Sequence, residues 1–276
     1  MRKRTVVFAI IFVLIGVGIF AYPWVSSWWN SYQSRELLER YEQAAAKLTK
    51  EETDEQFMLA QAYNNKVSGL APYDPFSQKE PVPFPEYGEI LTAGNDGVMA
   101  ALELPSIGTS LPVYHGVSDD VLQRGIGHMP TTALPVGGEG THCVLTGHNG
   151  IPSHELFTHL DKLKLGDAII IHVLGEKIGY RVDQILVVTP TETEPLKPIA
   201  GGDYITLITC TPYGINSHRL YVRGVRDDSV ISSAVTQSSP VANNTLLYAA
   251  IITSAFMALL VLVVWLIKRR RNEKGN

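Results

Sequence analysis

Residues 204–225 read YITLITCTPYGINSHRLYVRGV. Two β-rich runs, 204–209 and 220–225, flank a turn built on Thr211-Pro212-Tyr213-Gly214. A connection this short makes the two strands antiparallel neighbours. Cys210 and Arg219 then fall on adjacent rungs near the same end, and alternation turns His218 to the opposite face. The same pattern extends upstream. Residues 98–104 stop at Pro105, 141–145 stop before Gly147, and 168–173 and 178–188 are again β-rich. Between them helical material is limited, 154–163 being the candidate. Short strands with Gly and Pro turns predict a mainly β fold, a closed barrel or sandwich rather than an α/β sheet.

Cys210 is the natural centre of any chemistry. A cysteine in a strand is ordinarily a small buried hydrophobe. Here the adjoining turn and Arg219 favour a nucleophile instead, because a thiolate is steadied by a neighbouring cation. An arginine stays charged throughout and can also bind substrate or stabilise an oxyanion. A base is then needed, and the chain has eight histidines. His148 leads on placement, in Leu145-Thr146-Gly147-His148-Asn149-Gly150, just past a strand end and between glycines that let a substrate approach. His142 and His172 sit inside expected strands, His154 and His159 on the expected helix, and His115 and His128 near turns. The order His, Cys, Arg disfavours a papain-like protease, and no caspase signature is present. Two cysteines, Cys143 and Cys210, make neither a disulfide framework nor a four-cysteine zinc site. His142, Cys143 and His148 have no zinc-ligand spacing. The site is expected to use no metal and no cofactor.

The ends of the chain are basic and apolar. From Thr5 to Ser34 no side chain is charged, and residues 6–25 form an apolar run of 20, preceded by a basic end at 1–5. That is the length a bilayer core requires. Trp24, Trp28, Trp29 and Tyr32 follow as an interfacial belt would. The run is long for a signal peptide and lacks a clean cleavage site, which favours an uncleaved anchor. Residues 246–267 form a second apolar run, interrupted by Thr253 and Ser254 and closed by the basic tail 268–276. Two spans with both basic ends in the cytoplasm place the middle of the chain outside. The net charge of −4 hides an uneven distribution. Setting aside the eight basic and one acidic residues of the two ends leaves 15 basic and 26 acidic, a middle at −11. A nucleic-acid binder would carry its basic charge on the folded part, so that class is disfavoured.

The exposed middle divides further. Residues 31–68 read as helical, with Leu37, Leu38, Tyr41, Ala45 and Leu48 at helical spacing and a break at 49–53. Thr53-Asp54-Glu55-Gln56 is the expected start of a second helix. Nothing in these residues argues for chemistry, and a spacer stalk is the plain reading. Residues 69–85 carry five prolines and cannot form a helix or central strand. Tyr73-Asp74-Pro75-Phe76 within them is too aromatic for a free linker and is expected to pack on something. Residues 90–228 then form the β domain, and 229–245 link it to the second apolar run.

The Thr-Leu-x-Thr-Cys strand at 206–210, Arg219 nine residues on, and Leu145-Thr146-Gly147-His148 together resemble the sortases. The string 209–220, Thr-Cys-Thr-Pro-Tyr-Gly-Ile-Asn-Ser-His-Arg-Leu, is similar to the class C, pilin-polymerising branch. Asp74-Pro75-Phe76 resembles that branch's lid, and two anchors fit it too. The resemblance implies an eight-stranded β-barrel with N-terminal helices and a transmembrane helix at each end. It implies a cysteine transpeptidase of the Gram-positive cell membrane. Such an enzyme cleaves an LPxTG-like signal between Thr and Gly and passes the acyl group to a lysine amine of another pilin. By the same resemblance Cys210 is the nucleophile, His148 the acid and base, and Arg219 the substrate-positioning and oxyanion residue. Asp74 would cover Arg219, and Phe76 would cover Cys210. The partners implied are pilin subunits and the cell membrane. A sortase that anchors proteins to cell-wall peptide, or a catalytically silent pilus scaffold, are the alternatives left by the sequence.

Overall fold

A computed structural model describes residues 2–76, 84–150 and 156–237. The chain divides into two units, Met1–Ser239 and Pro240–Asn276. The expected span at 246–267, the tail 268–276 and the linker beyond residue 237 lie outside the described residues, as does 77–83 of the lid stretch.

Eight strands close into a barrel in the order β1-β2-β3-β4-β7-β8-β6-β5. They are β1 Val98–Leu104, β2 Thr109–His115, β3 Ile126–His128, β4 Thr141–Thr146, β5 Ala168–Val173, β6 Glu176–Val188, β7 Asp203–Thr211 and β8 His218–Arg226. Closure removes the free edges that an open sheet would have to protect. Two pairings are parallel, β2 with β3 and β4 with β7; the rest are antiparallel. The parallel β4–β7 pair positions the site, because both strands then end at the same rim. Alternation sorts the wall into two faces. Cys143 and Leu145 of β4, Ile205 and Leu207 of β7, and Leu220 and Val222 of β8 pack in the main core. Val144, Ile208 and Tyr221, on the other face, join a second apolar cluster with Tyr73, Val188 and Leu196.

The helices differ from expectation in several respects. Helix α1 runs unbroken through Arg2–Ala45, with Pro23 inside it, so residues 6–25 and the first part of 31–68 belong to one element. Among the described residues no helix is long and apolar enough to cross a membrane, so an anchor at 6–25 rests on the sequence. Helix α2, Lys50–Val67, begins one turn before the expected start. Thr49 is its N-cap, with Glu52 closing the capping box at 2.8 Å to the Thr49 amide. These helices are no stalk. Ala60, Tyr63 and Val67 sit in the main core, and the Tyr63 hydroxyl donates to the Pro130 carbonyl at 2.6 Å. From α1, the buried Tyr41 hydroxyl donates to the Met99 carbonyl at 2.9 Å and accepts from the Leu174 amide at 3.0 Å. The helix expected at 154–163 reduces to a single 3-10 turn at Leu160–Lys162, residues 151–155 lying outside the description. A further helix, α3, covers Asp119–Arg124, and α4, Ser229–Gln237, follows β8.

Three histidines are built into the frame rather than the site. His128 lies in β3, fully buried, with Nδ1 2.8 Å from the Tyr87 hydroxyl and Nε2 2.8 Å from the Ala133 carbonyl. His115 ends β2, with Nε2 2.8 Å from the Ile90 carbonyl. His142 holds Thr206 Oγ1 at 2.7 Å and the Lys197 carbonyl at 3.1 Å. Burial pushes His115 and His142 down to about 4 and His128 to about 3. Unfolding exposes them to water, where they bind protons near pH 6.5, so the unfolded chain holds more protons below that value. Their stabilisation is therefore complete above about pH 6.5 and is lost as pH falls toward their folded values. By pH 5 the loss should be on the order of 2 kcal/mol per histidine. Urea unfolding at pH 7.5, 6 and 5 measures it; equal stability at all three would contradict the buried neutral state.

Candidate active site at one rim of the barrel

Cys210 is the penultimate residue of β7, and its rung partner is Arg219, the second residue of β8. The rung expected from the turn is thus present. β4 runs parallel to β7 and ends at Thr146, so His148 emerges two residues later at the same rim. The loop carrying it is tied down. Gly147 donates its amide to the Ile208 carbonyl at 3.1 Å and accepts at its carbonyl from Thr209 Oγ1 at 2.7 Å. The His148 carbonyl accepts from the Phe157 amide at 3.1 Å. Glycine is required at 147, because a Cβ there would stand 2.6 Å from Ile126 Cδ1 and 2.7 Å from Phe157 Cδ2.

Asn149 is a site residue that sequence reasoning missed. Its Nδ2 donates to the Cys210 carbonyl at 3.0 Å, linking the histidine loop to the cysteine strand. The only signal in the sequence was its position between His148 and Gly150.

The lid stretch lies over this rim. Asp74 and Arg219 are both buried, and they form a bidentate pair, Nε to Oδ1 at 2.7 Å and Nη2 to Oδ2 at 2.8 Å. Arg219 Nη1 also donates to the carbonyls of Asn216 and His218, each at 3.1 Å. Phe76 was expected on Cys210. Its ring lies against His148, at 5.6 Å between centroids, and against the Arg219 guanidinium, 5.1 Å from its centroid. Tyr73 is buried in the outer cluster beside Ile208 and Tyr221.

The electrostatics describe a resting state. Burial raises the Cys210 thiol above its ordinary value; Arg219 opposes this and Asp74 reinforces it. Burial lowers His148, with Asp119 partly opposing. With Asp74 and Phe76 in place the pair is therefore neutral thiol and neutral imidazole. The remaining candidates fall away from the rim. Cys143 faces the core, and burial pushes its thiol well up. His142 is four residues short of the strand end and fully hydrogen-bonded. His218 is exposed, on the face opposite Arg219.

A closed eight-stranded barrel with a cysteine and an arginine on one rung and a histidine at the same rim defines the sortase class. Residues 102–227 match the sortase domain, and the chain belongs to the sortase family. Within it, the solved structures it resembles are class C enzymes. It is 43% identical to sortase C of Streptococcus pneumoniae, over 70% of this chain and 96% of that one, with a TM-score of 0.66. To sortase C1 of pilus island 1 of group B Streptococcus it is 42% identical, over 70% and 92%, with a TM-score of 0.65. Sortase SrtE1 of Streptomyces coelicolor is 33% identical over 139 residues, 45% of this chain and 39% of that protein. The chain spans between 39% and 66% of the length of the curated relatives it matches.

Proposed function

We propose that this chain is a class C cysteine transpeptidase that joins pilin subunits. It would cleave an LPxTG-like sorting signal between Thr and Gly and transfer the threonyl acyl group to a lysine amine of an acceptor pilin. The observation that carries the proposal is the Cys210–Arg219 rung with His148 beside it, covered by Asp74 and Phe76.

The chemistry follows from the arrangement. When the cover leaves, Asp74 no longer raises the thiol, while Arg219 remains to favour the thiolate. Cys210 passes its thiol proton to His148, Sγ attacks the threonine carbonyl carbon, and the oxygen takes up negative charge, which the freed Arg219 guanidinium would stabilise. Collapse breaks the C–N bond; His148 gives a proton to the departing glycine amine, leaving a thioester. The lysine amine then attacks that carbon, its proton passes to His148, and the C–S electron pair returns to Cys210. We further propose that residues 6–25 and 246–267 hold the enzyme in the cell membrane, with both termini cytoplasmic and the barrel outside.

Incubation with an LPxTG peptide, followed by intact-mass measurement, tests the first step. The expected result is a single acyl adduct on the protein. Adding a pilin-derived lysine peptide, or a cell-wall precursor amine in a parallel sample, identifies the acceptor. Adduct release by the wall amine alone would replace pilin joining by wall anchoring, and no adduct would leave a silent scaffold.

A further inference from the structure

The Asn149 carboxamide is fixed in direction by what it binds. Its partner, the Cys210 carbonyl, only accepts, so Nδ2 faces it and Oδ1 must face away. That Oδ1 is buried and has no hydrogen-bond partner among the described residues. A buried acceptor without a donor is destabilising, and such groups persist where a water or a ligand supplies the partner. Oδ1 is adjacent in sequence to His148 and one amide away from Cys210. It can receive only an N–H or O–H.

We propose that Asn149 is the amine-positioning residue of the second half-reaction, its Oδ1 accepting one N–H of the incoming lysine amine. The inference rests on the transpeptidase reading above. A neutral primary amine has one lone pair, two N–H bonds and an aliphatic stem. With one N–H on Asn149 Oδ1 and the other on His148, two positions on nitrogen remain, and with the stem turned outward toward its own chain the lone pair is left for the thioester carbon. The N–C bond forms, the C–S bond breaks with its electrons returning to Cys210 Sγ, and the proton shed by nitrogen goes to His148. Water has two lone pairs and no stem, so it attacks productively from more orientations and depends less on such a guide. Asn149 therefore favours aminolysis over hydrolysis.

The test is the fate of a preformed thioester. Full-length wild type and Asn149→Ala are loaded with an LPxTG peptide, and the adduct's decay is followed by mass with and without a lysine peptide. The lysine-to-water partition is expected to fall about tenfold or more in Asn149→Ala. Hydroxylamine, small and strongly nucleophilic, should show a smaller fall. Failure of wild type to form the thioester would sink the transpeptidase reading itself. An unchanged partition in a variant that forms the thioester would overturn the role of Asn149 alone. Slower thioester formation with an unchanged partition would assign Oδ1 to the sorting peptide instead, which also overturns it. Should Asn149→Ala not fold, Asn149→Ser, smaller but still polar, carries the same measurement.

Discussion

Cys210→Ala is expected to abolish acyl-enzyme formation, lowering transpeptidation by about 10³-fold or more, because a covalent route has no substitute for its nucleophile. Cys143→Ala should leave turnover near that of wild type. The two thiols differ in setting, not in burial alone. Cys143 points into the main core and its thiol is pushed well up by burial. Cys210 is 8% exposed at the barrel rim, and Arg219 stands on its rung. Alkylation should consequently modify Cys210 alone in the folded protein. Its rate should climb toward alkaline pH, since the resting thiol lies above its ordinary value. Peptide mapping after iodoacetamide treatment reads this directly. Lost activity in Cys143→Ala beside intact activity in Cys210→Ala would reverse the assignment.

What was legible in the sequence follows from how local each signal was. Strands β1 and β5 were readable to the residue because their apolar runs end at turns. Strand β2 was missed because Pro112 interrupts Thr109–His115. The barrel accommodates it: β2 pairs with β3 only from Val113 onward, so at 112 one flank of the strand has no ladder bond to lose. Strand β3 has three residues, too few for any periodicity. The start of α2 was misplaced because two capping patterns stand four residues apart, Thr49 with Glu52 and Thr53 with Gln56. The chain uses the first, and the Thr53 amide donates to the Thr49 carbonyl as an interior helical residue. The Cys210–Arg219 rung was legible because a short hairpin fixes its own register. Asp74 was reached through family resemblance; its partner is 145 residues away and no pattern links them. Asn149 was invisible for a similar reason, since its partner is a backbone carbonyl, which leaves no trace in residue type.

Arg219→Ala should lower acyl transfer by about 10²-fold or more and, at the same time, release the cover. Arg219 and Asp74 side chains are 6% and 3% exposed, and each satisfies the other. Removing the cation leaves a buried carboxylate without its counter-charge, a loss of about 3–5 kcal/mol for such a pair. The barrel need not absorb it. Lifting the lid returns Asp74 to water and gives up the burial of Tyr73 and Phe76, about 1.5–3 kcal/mol for each large side chain. The two are comparable, so the cover opens while the barrel's melting temperature stays within a few degrees. Asp74→Ala makes the contrast. It also frees the lid, but it leaves the guanidinium available to substrate, so acyl transfer should hold or rise. With the cover open in both variants, they differ at the Cys210 thiol in whether Arg219 is still there to lower it. The pH profile of alkylation in Asp74→Ala should shift to lower pH, and that of Arg219→Ala should lie above it. The double variant should match Arg219→Ala in activity and open no further than either single one, the sign of two residues acting through one contact. Near-normal turnover in Arg219→Ala would remove the oxyanion role from this residue. Parallel loss of activity in Asp74→Ala would mean that the pair serves the active form and is not a cover.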